Sequence, residues 1–211
     1  MQRRLSSEQR ITLLGGIFIA VILISTIAST KITQSGPFIF DAGTILFPLS
    51  YVIAGIITEI YGLKRVEFLI FVGLIVQIIA SLTFWIVGQL PPQADWHNQE
   101  AYLTILGVVP RIAIASIIAY AIGELFHVRF LSFLKKRAKR MSLSARTGLA
   151  LIVAQAIDTA IFSTLAFAGT MSFDSLLALI GTVYLIKLIV IVVCTPLSAL
   201  LVRSVESSRS N

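Results

Sequence analysis

A chain of 211 residues that is 57% apolar and only 13% charged, with a mean hydropathy of +0.94, carries more apolar surface than a water-soluble core can bury. Its formal net charge of +7 would suit a nucleic-acid binder, but the basic residues sort by membrane side once the apolar stretches are marked. Topology then accounts for the excess with no nucleic-acid partner, and a lone cysteine, Cys194, excludes both an intramolecular disulfide and a cysteine-based metal site.

A lipid core about 30 Å thick needs about 20 apolar residues per spanning helix. Six stretches qualify: Ile11 to Ser29, Thr44 to Tyr61, Val66 to Gly88, Ile105 to Phe126, Thr147 to Gly169 and Ser175 to Val202. The expected fold is an all-α integral membrane protein of six transmembrane helices, and the short connections make residues 1–211 a single membrane domain. Arg3, Arg4 and Arg10 precede the first span, which exceeds the roughly 7 to 15 apolar residues of a signal peptide and is expected to be retained. Lys64 and Arg65 join spans two and three. Arg129, Lys135, Lys136, Arg137, Lys139, Arg140 and Arg146 join spans four and five, and Arg203 and Arg209 follow span six. The opposite side holds only Lys31. The positive-inside rule therefore predicts both termini in the cytoplasm of a multi-pass inner (plasma) membrane protein.

In span two, Pro48 lies within a turn or so of the outer end and is expected to kink or interrupt the helix. Tyr51, Gly55 and Glu59 follow at intervals of four, on one helical face. Span three contributes Gln77. The segment from Gly88 to Thr104, with Pro91, Pro92, Trp96 and His97 and with Trp85 just before it, is expected to be an exterior loop whose aromatics anchor the membrane rim. Pro110 sits near the start of span four, where a missing amide is harmless. Ser116, Tyr120 and Glu124 then recur every four residues beside a seam of Ala115, Ala119 and Gly123, suited to close packing within the chain or in a homodimer. The basic segment from His127 to Arg146 is expected to continue span four as an amphipathic helix on the anionic leaflet of the lipid bilayer. Neither His97 nor His127 is assigned to a site. In span five, Gln155, Asp158, Thr159 and Phe162 share one stripe that resembles a cavity wall, and span six adds Tyr184 beside Lys187, with Pro196 late in the span.

Ionisable groups inside apolar spans carry the most information, because each costs several kcal/mol unless paired or hydrated. Five qualify: Glu59, Arg111, Glu124, Asp158 and Lys187. At a rise of about 1.5 Å per residue, Asp158 lies roughly 18 Å from Arg146 and Lys187 roughly 18 Å from Ser175, so both approach the midplane. The same arithmetic places Arg111 level with Asp158 and Glu59 nearer Lys187, which predicts the pairs Arg111 with Asp158 and Glu59 with Lys187, with the crossed pairs as the alternative. Glu124 reads as structural, near the cytoplasmic surface. Carboxylates, a guanidinium, an amide and several aromatic rings would together suit a small, flat, polar solute. No Gly-rich phosphate loop, zinc spacing or nucleophile motif is present, so neither an enzyme nor a cofactor or metal is expected.

The run from Phe47-Pro48-Leu49-Ser50-Tyr51 through Thr58-Glu59-Ile60-Tyr61-Gly62, followed by Lys64-Arg65, resembles the second span of the queuosine precursor transporters, also called the vitamin uptake transporter family. Similar matches are Arg111-Ile112-Ala113 with Ala115-Ser116 and Ala119-Tyr120, Asp158-Thr159 with Phe162, and Tyr184 with Lys187 before Thr195-Pro196. The resemblance covers nearly the whole chain. It implies a single-polypeptide secondary carrier that takes up 7-cyano-7-deazaguanine or its aminomethyl relative for modification of transfer RNA. One departure is Gly55, where the family commonly has Asp.

The chemistry of such a base suits these residues. Asp158 or Glu59 could accept its two neighbouring donors, and Arg111, Lys187 or Gln155 could donate to its carbonyl. Tyr51, Tyr120, Tyr184 or Phe162 could stack on the ring. Thr159 and Gln77 complete the expected substrate-binding set. Two other classes fit the sequence as well: a substrate-capturing membrane subunit of an ATP-driven importer, and a structural membrane protein whose ion pairs only clamp helices.

Overall fold

The computed structural model describes residues 6–138, 140 and 143–207. The side chains of Phe47, Glu59, Val128, Leu143, Ser144, Thr147 and residues 194–207 fall outside that description. Among the residues singled out above, Arg3, Arg4, Lys139 and Arg209 lie outside the described residues, as do the side chains of Glu59, Cys194, Pro196 and Arg203.

Helix α1 spans Ser7–Ala28 and begins a turn before the expected span, because Ser6 and Gln9 form a capping box. The Ser6 hydroxyl accepts from the Gln9 amide at 3.1 Å, and the Gln9 side-chain oxygen accepts from the Ser6 amide at 2.9 Å. The chain then makes an antiparallel hairpin, strands β1 (Ile32–Ser35) and β2 (Phe38–Asp41), which sequence reasoning does not predict. Its two-residue turn opens on Gly36 at φ +58°, a left-handed conformation that glycine adopts without strain. Strand β2 lies against α7, and Ile39 and Phe40 pack on a core of Ile112, Phe167, Leu179 and Val183.

The expected second span, Thr44 to Tyr61, is divided. A 3-10 turn, Ala42–Leu46, precedes α2 (Phe47–Tyr61), and Pro48 occupies the first turn of α2, where its missing amide donor was never required. Gly62, at φ +87°, turns the chain into α3 (Leu63–Gln89). A short helix, α4 (Gln99–Leu106), lies in the segment predicted as loop, tied down where the Gln99 amide donates to the Gly88 carbonyl at 2.9 Å. Helix α5 (Val109–Arg137) starts with Pro110 in its first turn and runs on past the expected end of span four, but stops at Arg137, short of the Arg146 to which the amphipathic continuation was expected to extend. The Phe126, Phe130 and Phe133 rings stack along it at 5.4 and 6.3 Å. Lys135, Lys136 and Arg137 close its last turn, where positive charge complements the helix dipole. Helices α6 (Leu143–Phe167) and α7 (Phe173–Ser207) complete the fold.

Among the described residues, five helical segments are long and apolar enough to cross a membrane: Ser7–Ala28, Leu63–Gln89, Gln99–Arg137, Gly148–Phe167 and Phe173–Val193. Ala42–Thr58 is a shorter apolar helix. Exposed Phe68, Phe71, Ile79, Leu82 and Trp85 give α3 an apolar outer surface, which a bilayer and not water would solvate. Helices α5 and α6 make the most extensive contact between elements. The seam of Ala115, Ala119 and Gly123 is spent there: both alanines are buried, and a Cβ on Gly123 would sit 3.1 Å from that of Asp158. The seam thus serves contact within the chain.

Candidate functional site

The close approach of α5 and α6 sets Asp158 against a gap that α7 closes with Lys187. The Lys187 ammonium donates to Asp158 Oδ2 at 2.7 Å, with side-chain exposures of 12% and 20%. Both residues line a cavity of about 130 Å³ with Ser116, Phe162 and Val183. Asp158 therefore pairs with Lys187 and not with Arg111. The Glu59 side chain, expected beside Lys187, lies outside the described residues.

The opposite wall comes from the C-terminal end of α1, the end of β2 and the 3-10 turn: Ser25, Thr26, Ser29, Asp41, Gly43 and Thr44. Asp41 is 2% exposed and was missed by sequence reasoning. Its Oδ1 accepts from the Ser29 hydroxyl at 2.6 Å and from the Thr44 amide at 3.2 Å, and its Oδ2 accepts from the Thr44 hydroxyl at 2.8 Å. Asp41 therefore caps the 3-10 turn while fastening it to α1. Gly43 permits the approach, since a Cβ there would collide with the Ser25 carbonyl and the Ser29 hydroxyl. The Ser25 hydroxyl donates in turn to the Gly43 carbonyl at 2.9 Å. In sequence the only signal was the run of Ser25, Ser29, Asp41 and Thr44 around a chain reversal.

Arg111 belongs elsewhere. Its Nε donates to the Leu165 carbonyl at 2.8 Å and its Nη2 to the Ala168 carbonyl at 2.6 Å. The last carbonyls of a helix lack partners within it, and the long Arg111 side chain supplies them for α6. It lines a second cavity, of about 490 Å³, with Thr30, Thr33, Gln34, Phe167 and Ser175, and Ile112 is shared by both linings.

The remaining expected residues scatter around this arrangement. Thr159 is fully buried, and its hydroxyl, like that of Ser163 one turn on and like Gln155 Oε1, finds no hydrogen-bond partner among the described residues. Ser163 extends the Gln155 and Thr159 stripe at the same four-residue interval and could have been found by it. Gln77 is buried and donates to the Thr26 hydroxyl, bracing α3 to α1 behind the cavity. The Tyr184 hydroxyl donates to the Ile152 carbonyl at 3.2 Å and joins α7 to α6. Tyr51 is half-buried on α2, and Tyr120 is exposed on α5. Glu124 is exposed too, 3.8 Å from His127 Nδ1. Among the described residues no group of three or more His, Cys, Asp or Glu side chains is placed to hold a metal ion.

Residues 41–201, well over half of the chain, match the model of the family described as "Putative vitamin uptake transporter". The chain belongs to the vitamin uptake transporter family. As a family member it is similar to the "Probable queuosine precursor transporter" of Bacillus subtilis (strain 168), at 28% identity over 158 residues that cover 73% of this chain and 68% of the relative. No solved structure matches it. Family and apolar helices together make this vitamin uptake transporter a multi-pass protein of the plasma membrane. For this transporter, Arg111→Lys is expected to lower the melting temperature of the purified protein by a few degrees. A single ammonium cannot hold both carbonyls in the fork geometry of a guanidinium. Thermal unfolding in detergent checks this, and an unchanged melting temperature would remove the capping role.

Proposed function

We propose that the chain is a secondary carrier importing a queuosine precursor base, 7-cyano-7-deazaguanine or its aminomethyl relative, for transfer RNA modification. The single observation that supports this most is the Asp158 and Lys187 pair, drawn to 2.7 Å on the wall of a polar cavity inside an apolar helical bundle. A deazaguanine base presents two neighbouring donors to a carboxylate and a carbonyl oxygen to a cation, so it can replace each half of the pair for the other. Phe162 offers an apolar face for the ring. The relative's name points the same way.

Exchange of an internal ion pair for ligand contacts supplies a differential interaction, which is what a ligand needs to shift a conformational equilibrium. Alternating access around a fixed central site follows from that shift. The whole chain acts as one membrane domain, and the charge pattern of its connections orients both termini toward the cytoplasm.

Uptake of labelled base into cells unable to synthesise it tests the proposal. Cells expressing the chain should accumulate label and restore the modified nucleoside in transfer RNA. No accumulation above that of cells lacking the chain would refute it. Transport by the purified protein alone in liposomes separates this carrier from a subunit that depends on a separate ATPase.

A further inference from the structure

We propose that the cavity of about 490 Å³ beside Arg111 is a second binding site for the base, an entry site occupied before the base passes Ile112 into the central cavity. The assignment rests on the function proposed above and adds the route by which the base arrives. The volume falls in the range of about 300 to 1,000 Å³ that small-molecule sites occupy. Gln34 on β1, Thr104 on α4 and Thr170 between α6 and α7 line this cavity and are exposed, so it opens to the surface at the end of the bundle where α5 begins. Lys135, Lys136 and Arg137 close the far end of α5, which makes this mouth the outer one in the orientation proposed above.

The lining suits the carbonyl edge of a flat base. Of the five N–H groups of a guanidinium, Arg111 spends one on the Leu165 carbonyl and one on the Ala168 carbonyl, which leaves three for a ligand among the described residues. The two capping bonds also fix the guanidinium, so it donates to a carbonyl oxygen without first having to be ordered. Phe167 supplies an aromatic ring in the same lining. Among the described residues no carboxylate lines this cavity, whereas Asp158 lines the central one. The entry site therefore grips one edge of the base and the central site both, a difference that favours passage inward.

Two separate contacts join the cavities. Ile112 is 2% exposed and lines both. Phe162 lines the central cavity and Phe167 the outer one, and their rings meet edge to face at 5.9 Å. All three side chains pack in one apolar cluster. A base leaving Phe167 thus meets Phe162 next, with Ile112 as the gate.

Cys194 is the only cysteine, so Cys194→Ser clears the chain for a thiol probe at Thr33, a half-buried residue of the outer lining. In the purified Cys194→Ser, Thr33→Cys protein a maleimide should label the new thiol, and saturating 7-cyano-7-deazaguanine should slow labelling by at least about fivefold, because thiol reactivity follows access. Adenine, which has no carbonyl, should leave the rate unchanged. Addition of Lys187→Met with Asp158→Asn removes the central contacts, yet half-protection should need a base concentration within about threefold of that found without them, as for independent sites. Absence of labelling, protection by adenine, or loss of protection with the central pair removed each overturns the proposal. Ile112→Phe reads the passage: uptake should fall by at least about tenfold, about 1.4 kcal/mol of barrier, with protection at position 33 retained. Uptake at the wild-type rate in Ile112→Phe overturns the route. A melting temperature of the wild-type protein raised by the base, without protection at position 33, removes the entry site alone. Neither protection nor a raised melting temperature removes the proposed substrate, and this site with it.

Discussion

Lys187→Met and Asp158→Asn are each expected to lower base uptake by at least about 100-fold, and the double variant to recover stability without recovering uptake. Removal of one partner from a fully buried pair takes away compensation of the other charge, at a cost of about 3 to 5 kcal/mol. The pair here is part-buried, with side-chain exposures of 12% and 20% at a separation of 2.7 Å, so the cost lies below that range. Each single variant should accordingly melt at a lower temperature than wild type. The double variant holds no uncompensated charge at the pair, and neutral replacements of a buried ion pair are often tolerated or stabilising. A clamp whose only task is to hold α6 to α7 would let the double variant transport normally. A binding site would not, because both the acceptor and the donor for the base are gone. Melting temperature and uptake measured on all four proteins form a double-mutant cycle that separates the two roles. Uptake restored in the double variant would sink the assignment of these residues to the site.

Gly43→Val should be the most damaging glycine substitution among those with described surroundings. Even the first added carbon collides with the Ser25 carbonyl, a backbone atom that cannot turn aside, and with the Ser29 hydroxyl that holds Asp41. Relief of the clash must part the 3-10 turn from α1, which opens one wall of the cavity. Overpacking of this kind costs about 1 to 3 kcal/mol or more, and each kcal/mol corresponds to about 2 to 4 °C in melting temperature for a chain of this size. A fall of about 2 to 12 °C is expected, together with loss of uptake. Gly181→Ala is the control, since nothing lies within 4 Å of its added carbon in the exposed part of α7. It should be neutral or slightly stabilising through higher helix propensity. Equal melting temperatures for the two variants would show that the approach at Gly43 is not required.

The wall that Gly43 shapes is also the part of the site that was hardest to read in advance. Asp41 stands in a connection between apolar stretches, where a carboxylate reads as solvated. Only the fold-back of β2 over the end of α1 buries it. The hairpin itself escaped notice because strands of four residues leave almost no alternation to detect. Asp158 and Lys187 were conspicuous for the opposite reason: each breaks a long apolar run, and a charge in such a place demands a partner.

Arg111 shows the limit of arguments from depth. Height along the axis put it level with Asp158, but partners are chosen by the direction each side chain takes around its helix. The carbonyls at the end of α6 are nearer to its guanidinium than any carboxylate among the described residues.

Linear order alone determined that this is a helical membrane protein, where its apolar helices lie, and which charges inside them call for an explanation, because hydrocarbon imposes its demands on each segment separately. Tertiary structure decided that Lys187 meets Asp158, that Arg111 caps α6, and that Asp41 completes the cavity. Those choices depend on how the helices are rotated and set against one another, and the periodicity of a single helix carries no record of that.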